Sequence, residues 1–196
     1  MKTMENNDIL STADKAKHIK QSFRLYMNGV TAESLRQKGL IYKICWGVSL
    51  QHLQEMAAEY GKDKALAEEL WLSGVRECKL LAILTYPIEA YDEQIADRWL
   101  KDVTNQELAE MLSFYILQHV TFAKTLAMRL LVSNNDMHLL CALNILSRLF
   151  MKSQTLDKNE ASIFLEKSHQ CMEDGSFALK HAASNCLMRY EDYMNP

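Results

Sequence analysis

The chain has 196 residues, 48% of them hydrophobic and 24% charged, which suits one substantial core and excludes a disordered protein. Six Gly and two Pro, one of them the final residue, are too few for an architecture of strands and tight turns, so the composition predicts an all-α fold. The 22 Lys and Arg against 25 Asp and Glu give a net charge of −3, which excludes a global positive field for nucleic acid and leaves room only for a local basic groove.

Residues 1–10 are polar and are expected to be frayed or disordered, with residues 11–196 forming a single domain. Ser11 or Thr12 caps a predicted helix running to about Met27, with Ile19, Phe23 and Tyr26 inward and Asn28-Gly29 ending it. A second helix is predicted from Thr31. A third starts at Ser49, placing Leu50, Leu53, Met56 and Ala57 on one face before Gly61. Leu66, Leu70 and Trp71 continue the pattern, and Cys78, Leu81, Ala82 and Thr85 form a short amphipathic helix ending at Pro87.

Ile95 and Trp99 mark the next stripe. Leu108, Met111, Leu112, Tyr115 and Ile116 then recur at i, i+3, i+4, i+7 and i+8, the spacing of one helical face. Ala123 to Leu130 and Leu139 to Phe150 follow, Asp157 begins another helix, and Gly175-Ser176 introduces the last. Many short helices with tight connections suit paired helices stacked as a solenoid better than a four-helix bundle, which needs fewer and longer ones.

The chemistry-bearing residues are sparse. Five Cys, at 45, 78, 141, 171 and 186, contain no C-x-x-C pair and sit in apolar helical patterns, as expected of reduced thiols in a cytoplasmic protein. His138 with Cys141, and His169 with Cys171, lack a second matching pair, so no metal and no cofactor is expected. Phosphate-loop, dinucleotide and hydrolase-elbow motifs do not occur. The amino-terminal residues lack an apolar signal core, and no run approaches the roughly 18 apolar residues of a membrane span.

In KDVTNQELAEML, residues 101–112, Thr104 and Glu107 have the T-x-x-E spacing of a capping box, with Thr104 as N-cap. Glu110 lies one turn further on, where solvation and favourable interaction with the helix dipole account for a carboxylate. It becomes a site residue only if the fold places it in a cleft.

Residues 46–112 contain, in order, Gly47-Val48-Ser49 with Leu53, Gly61-Lys62-Asp63, Leu66-Ala67 with Leu70-Trp71, Ser73-Gly74 with Glu77 and Lys79 to Ala82, and Asp97-Arg98-Trp99. This ordered set resembles the AlkD-type DNA alkylation repair family, and weaker similarity continues to about Tyr190. The resemblance implies a HEAT-like helical solenoid whose concave surface cradles duplex DNA. It also implies, in active members, glycosylase release of cationic N3- or N7-alkylated purines. Such a base leaves readily, so the protein mainly supplies a carboxylate that stabilises charge at the sugar, with aromatic groups beside it.

The chain departs from that family's W-D-L-x-D motif, having Gln106 in place of the aromatic residue and Glu110 in place of the acid. An ungapped reading puts the family's basic pair on Leu139 and Leu140. It puts the Trp of the last helix on Asn185, after Lys180 and His181. Glu extends the carboxylate by roughly 1.5 Å, where about 1 Å of misplacement costs on the order of 100-fold in rate. A lost stacking surface removes a further 1–3 kcal/mol or so. The resemblance therefore implies a divergent, non-catalytic scaffold binding nucleic acid or protein. The alternatives are a glycosylase using Glu110 and a pure protein-interaction module. The expected partners are duplex DNA or a protein, and no membrane.

Overall fold

A computed structural model describes residues 11–194, so the expectation for residues 1–10 lies outside the described residues. The all-helical expectation holds: the described residues contain no strand, only an isolated parallel bridge between Ile44 and Val75. The chain divides into two compact units, residues 1–90 and 91–196. None of the helices is long and apolar enough to cross a membrane, among the described residues.

The first unit holds α1 (Thr12–Ser22), α2 (Gly29–Gln37), α3 (Leu50–Tyr60), α4 (Lys64–Trp71) and α5 (Arg76–Thr85). Here α5 packs on α3 and α4, and α4 on α1. Ser49 and Asp63 cap α3 and α4 by accepting the amides of His52 and Leu66, and Gly61 ends α3 at φ +71°. The core is built from Ile19, Phe23, Leu53, Leu70, Trp71, Leu81 and Tyr86, all essentially inaccessible.

The helix expected to continue to Met27 stops at Ser22, followed by a 3-10 turn over Phe23–Leu25. Asn28 does not end that helix. It starts the next one, its Oδ1 accepting the Thr31 amide, so α2 begins at Gly29 and not at Thr31. Ile19 and Phe23 are buried as expected, but Tyr26 lies past the break and is exposed.

The long connection from α2 to α3 is anchored by one carboxylate. Glu77, with 0% exposure, accepts the backbone N–H groups of Trp46, Gly47 and Val48 at 2.9–3.3 Å. Arg76 Nη1 donates to the same carboxylate and to the Val48 carbonyl. The close approach requires Gly47: it has φ +72°, and an added Cβ would lie 2.2 Å from the Asn28 carbonyl oxygen.

The second unit holds α6 (Glu93–Lys101), α7 (Gln106–Leu112), α8 (Ala123–Leu131), α9 (Asp136–Met151), α10 (Lys158–Asp174) and α11 (Phe177–Met194). Central α9 packs on α7, α8 and α11, and α10 lies against α11 and α8. Phe150, Phe164 and Tyr190 tie α9, α10 and α11 together, with ring centroids 5.1–5.3 Å apart. Each such contact adds about 0.5–1.5 kcal/mol beyond the area it buries. The helical periodicity read from Leu108 to Ile116 is real but changes pitch, because Ser113–Leu117 forms a π-helical turn.

Candidate nucleic-acid interface

The capping box expected at Thr104 and Glu107 is not formed. Asn105 is the N-cap of α7, in extended conformation, with Oδ1 accepting the Leu108 amide at 3.1 Å. That frame shift of one residue follows from chemistry, since Asn caps at least as well as Thr and also has an acceptor oxygen. A true capping box occurs at Asp157 and Glu160, where both reciprocal bonds are made.

Gln106, the first residue of α7, and Glu110 lie one turn apart on its exposed face. Gln106 Nε2 donates to Glu110 Oε1 at 2.7 Å. Glu110 also lines a cavity of about 160 Å³ with Asn144, Ser147 and Arg148 of α9 and Ala178, His181, Ala182, Asn185 and Arg189 of α11. The fold therefore brings Glu110 and Asn185 into one pocket, with Gln106 bonded at its edge. Asn185 Nδ2 lies 3.3 Å from His181 Nδ1, within hydrogen-bonding distance.

Leu139, Leu140 and Lys180 are not in this pocket. Leu139 lines a separate cavity of about 210 Å³ with Asp136, Lys167 and Cys171. Leu140 is core. Lys180 is exposed, its ammonium donating to the Glu173 carbonyl at 2.9 Å.

The positive charge in the pocket comes instead from Arg148 and Arg189, which sequence reasoning missed. The signal was present as polar spacing. Asn144 and Arg148 are four residues apart on α9, and His181, Asn185 and Arg189 repeat every four on α11. Such spacing places each set on one helical face. The Arg148 guanidinium sits 4.9 Å from the Phe114 ring centroid, a cation–π contact worth about 0.5–1 kcal/mol at an exposed site. Phe114 is presented outward by the π-helical turn that follows α7.

Chemically the pocket combines two guanidiniums, an imidazole, two amides and a hydroxyl with one carboxylate. None of the lining residues is Phe, Tyr or Trp. Its volume is below the roughly 300–1,000 Å³ of sites that engulf a small molecule. A phosphate or sugar edge fits this chemistry better than a whole enclosed base. Among the described residues no cluster of three or more His, Cys, Asp or Glu could hold a metal ion.

A family model described as DNA alkylation repair enzyme matches residues 11–193. No curated protein matches the chain. One solved structure superimposes with a TM-score of 0.79 at 18% identity, covering 92% of this chain and 77% of the other. It is described as a new family of proteins related to the HEAT-like repeat DNA glycosylases with affinity for branched DNA structures. The fold is thus HEAT-like, and a match over nearly every described residue establishes that the chain belongs to the DNA alkylation repair enzyme family.

Proposed function

We propose that this chain is a DNA-binding member of its family that does not excise alkylated bases efficiently, and that the α7–α9–α11 pocket contacts the DNA backbone. The observation that carries this reading is the state of Glu110. Glu110 is exposed and its carboxylate held by Gln106 at the edge of a pocket lined by two arginines and by no Phe, Tyr or Trp. A charge-stabilising acid must face the reacting sugar with water largely excluded, because electrostatic stabilisation weakens steeply in bulk solvent. Arg148 and Arg189 suit phosphate oxygens, which position a protein on DNA without reading sequence. The branched-DNA affinity attributed to the superimposing protein supports the choice of DNA over a protein partner.

A second reading is supported by the retention of a carboxylate in the pocket: a weak alkylpurine glycosylase with Glu110 as the acid. Release of 7-methylguanine from methylated duplex separates the two. The expected result is no release above background, together with DNA binding whose logarithmic salt slope falls by about one for each of Arg148→Gln and Arg189→Gln. Base release by the wild-type protein that Glu110→Gln abolishes would establish the glycosylase instead.

A further inference from the structure

Charge is distributed unevenly along the chain. Residues 11–46 carry seven Lys and Arg against two Asp and Glu, a balance of +5. Residues 47–196 carry 14 against 21, a balance of −7. Within the basic segment Lys17, Lys20 and Arg24 follow one another at i, i+3 and i+7. At about 100° per residue Lys17 and Lys20 lie about 60° apart around α1, and Arg24 follows in the 3-10 turn that continues it. The core-facing side of the same segment is Ala16, Ile19 and Phe23.

The basic stripe runs directly into uncovered apolar side chains. Leu25, Met27 and Val30 are 80%, 57% and 83% exposed, and Tyr26 among them is exposed as well. Large apolar residues scattered singly on a surface are ordinary, but several within six residues at one turn form a patch. Nor is this turn loosely held. The Asn28 amide donates to the Trp46 carbonyl at 2.9 Å, and Trp46 belongs to the segment fixed by the buried Glu77. The Tyr26 ring lies 3.7 Å from the His52 ring, and the Arg24 guanidinium 5.8 Å from that of Trp46. These contacts hold the turn while Leu25, Met27 and Val30 stay largely exposed to solvent.

We propose that Leu25, Met27 and Val30 form an apolar wedge that enters an unstacked base step of branched DNA, with Lys17, Lys20 and Arg24 holding the adjacent phosphates. This rests on the DNA-binding reading above. Aliphatic and thioether side chains inserted between bases are the established physical means of opening a step. A branch point, already partly unstacked, lowers the energy required. A membrane surface suits the patch less well, because interfacial binding needs a continuous apolar helix face and that of α1 is used in the core. A second copy meeting this patch symmetrically would bring two basic segments together.

Fluorescence anisotropy of the full chain, on a four-way junction and a fully paired duplex of equal length, tests the proposal. The Met27→Ser/Val30→Ser protein is expected to bind the junction at least about tenfold more weakly, while duplex affinity changes by less than about twofold. A 2-aminopurine at the branch point is expected to brighten further on binding the wild type and to change little on binding this variant. Replacing Lys17, Lys20 and Arg24 by Gln is expected to weaken both probes and lower the salt slope by about three. Circular dichroism checks that each variant is folded; the exposed positions were chosen for that reason.

If the apolar variant binds the junction like wild type, while Arg148→Gln and Arg189→Gln weaken it, the wedge is wrong and the DNA-binding reading stands. If the wild type binds neither probe, both are wrong. Binding to phosphatidylserine vesicles that needs Met27 and Val30, or a dimer in sedimentation that the double substitution dissolves, would reassign the patch to a membrane or to self-association.

Discussion

Glu77 shows how much one side chain can organise. Its carboxylate satisfies three consecutive backbone amides and the neighbouring Arg76 while fully buried. Removing it would leave the buried Arg76 guanidinium without its carboxylate partner and deprive the buried Gly47 and Val48 amides and the part-buried Trp46 amide of their acceptor. The expected destabilisation of Glu77→Ala is about 3–5 kcal/mol, measured as a shift in urea unfolding. Glu77→Gln, which keeps one acceptor oxygen, is expected to lose less. Equal stabilities for the alanine variant and the wild type would show that the connection between α2 and α3 holds itself in place. The sequence placed Glu77 within a recognisable motif, but its acceptor role depends on residues about 30 positions away, beyond the reach of local spacing.

At the level of elements, α6 and α8 are linked by a two-pronged ion pair. Arg129 donates through Nη2 and Nη1 to the two oxygens of Asp97 at 2.5 and 3.2 Å. The hydrogen bonds from Arg129, and then its charge, hold the Asp97 carboxyl below its ordinary value. Both side chains are about half exposed, so solvent screening limits the pair to about 0.2–1 kcal/mol. A depressed folded-state value means the contribution is present above the unfolded carboxylate range and lost as pH falls through the folded value. The stability difference between wild type and Asp97→Asn is therefore expected at pH 7 and should vanish as the pH drops well below about 4. A difference that persists in acid would indicate packing, not charge.

Helix faces were legible along the chain wherever apolar residues repeated with the helical period, as in Ile19 with Phe23 and in Leu108 with Leu112. The ends of helices were less so. Thr104 and Asn105 are both competent caps, and Asn28 can end one helix or start the next. Choosing between such neighbours depends on which frame lets the following apolar residues reach the core, a tertiary matter.

For the whole molecule, the thiols give a direct readout of folding. Burial raises Cys78 to about 11 and Cys141 to about 12, and also raises Cys171 and Cys186. All five cysteines are free, and only Cys45 is partly accessible. Under native conditions at neutral pH, iodoacetamide followed by peptide mass analysis is expected to label Cys45 first. The other four should react only as their units open, because the thiolate is the nucleophile. Rapid native labelling of Cys141 or Cys186 would contradict the packing of α9 and α11.

By itself the sequence determined the all-helical class, the core-facing stripes, the reduced cysteines and, through its ordered motifs, the family. Those properties depend on periodicity and composition, which are local. It also singled out Glu110 and Asn185, but only tertiary structure could bring them into one pocket, bond Gln106 to Glu110 and line that pocket with Arg148 and Arg189. The reason is geometric: a pocket built from α7, α9 and α11 joins residues some 80 positions apart. Which polar face turns into it is fixed by how three apolar faces pack behind it, and no window along the chain contains all three.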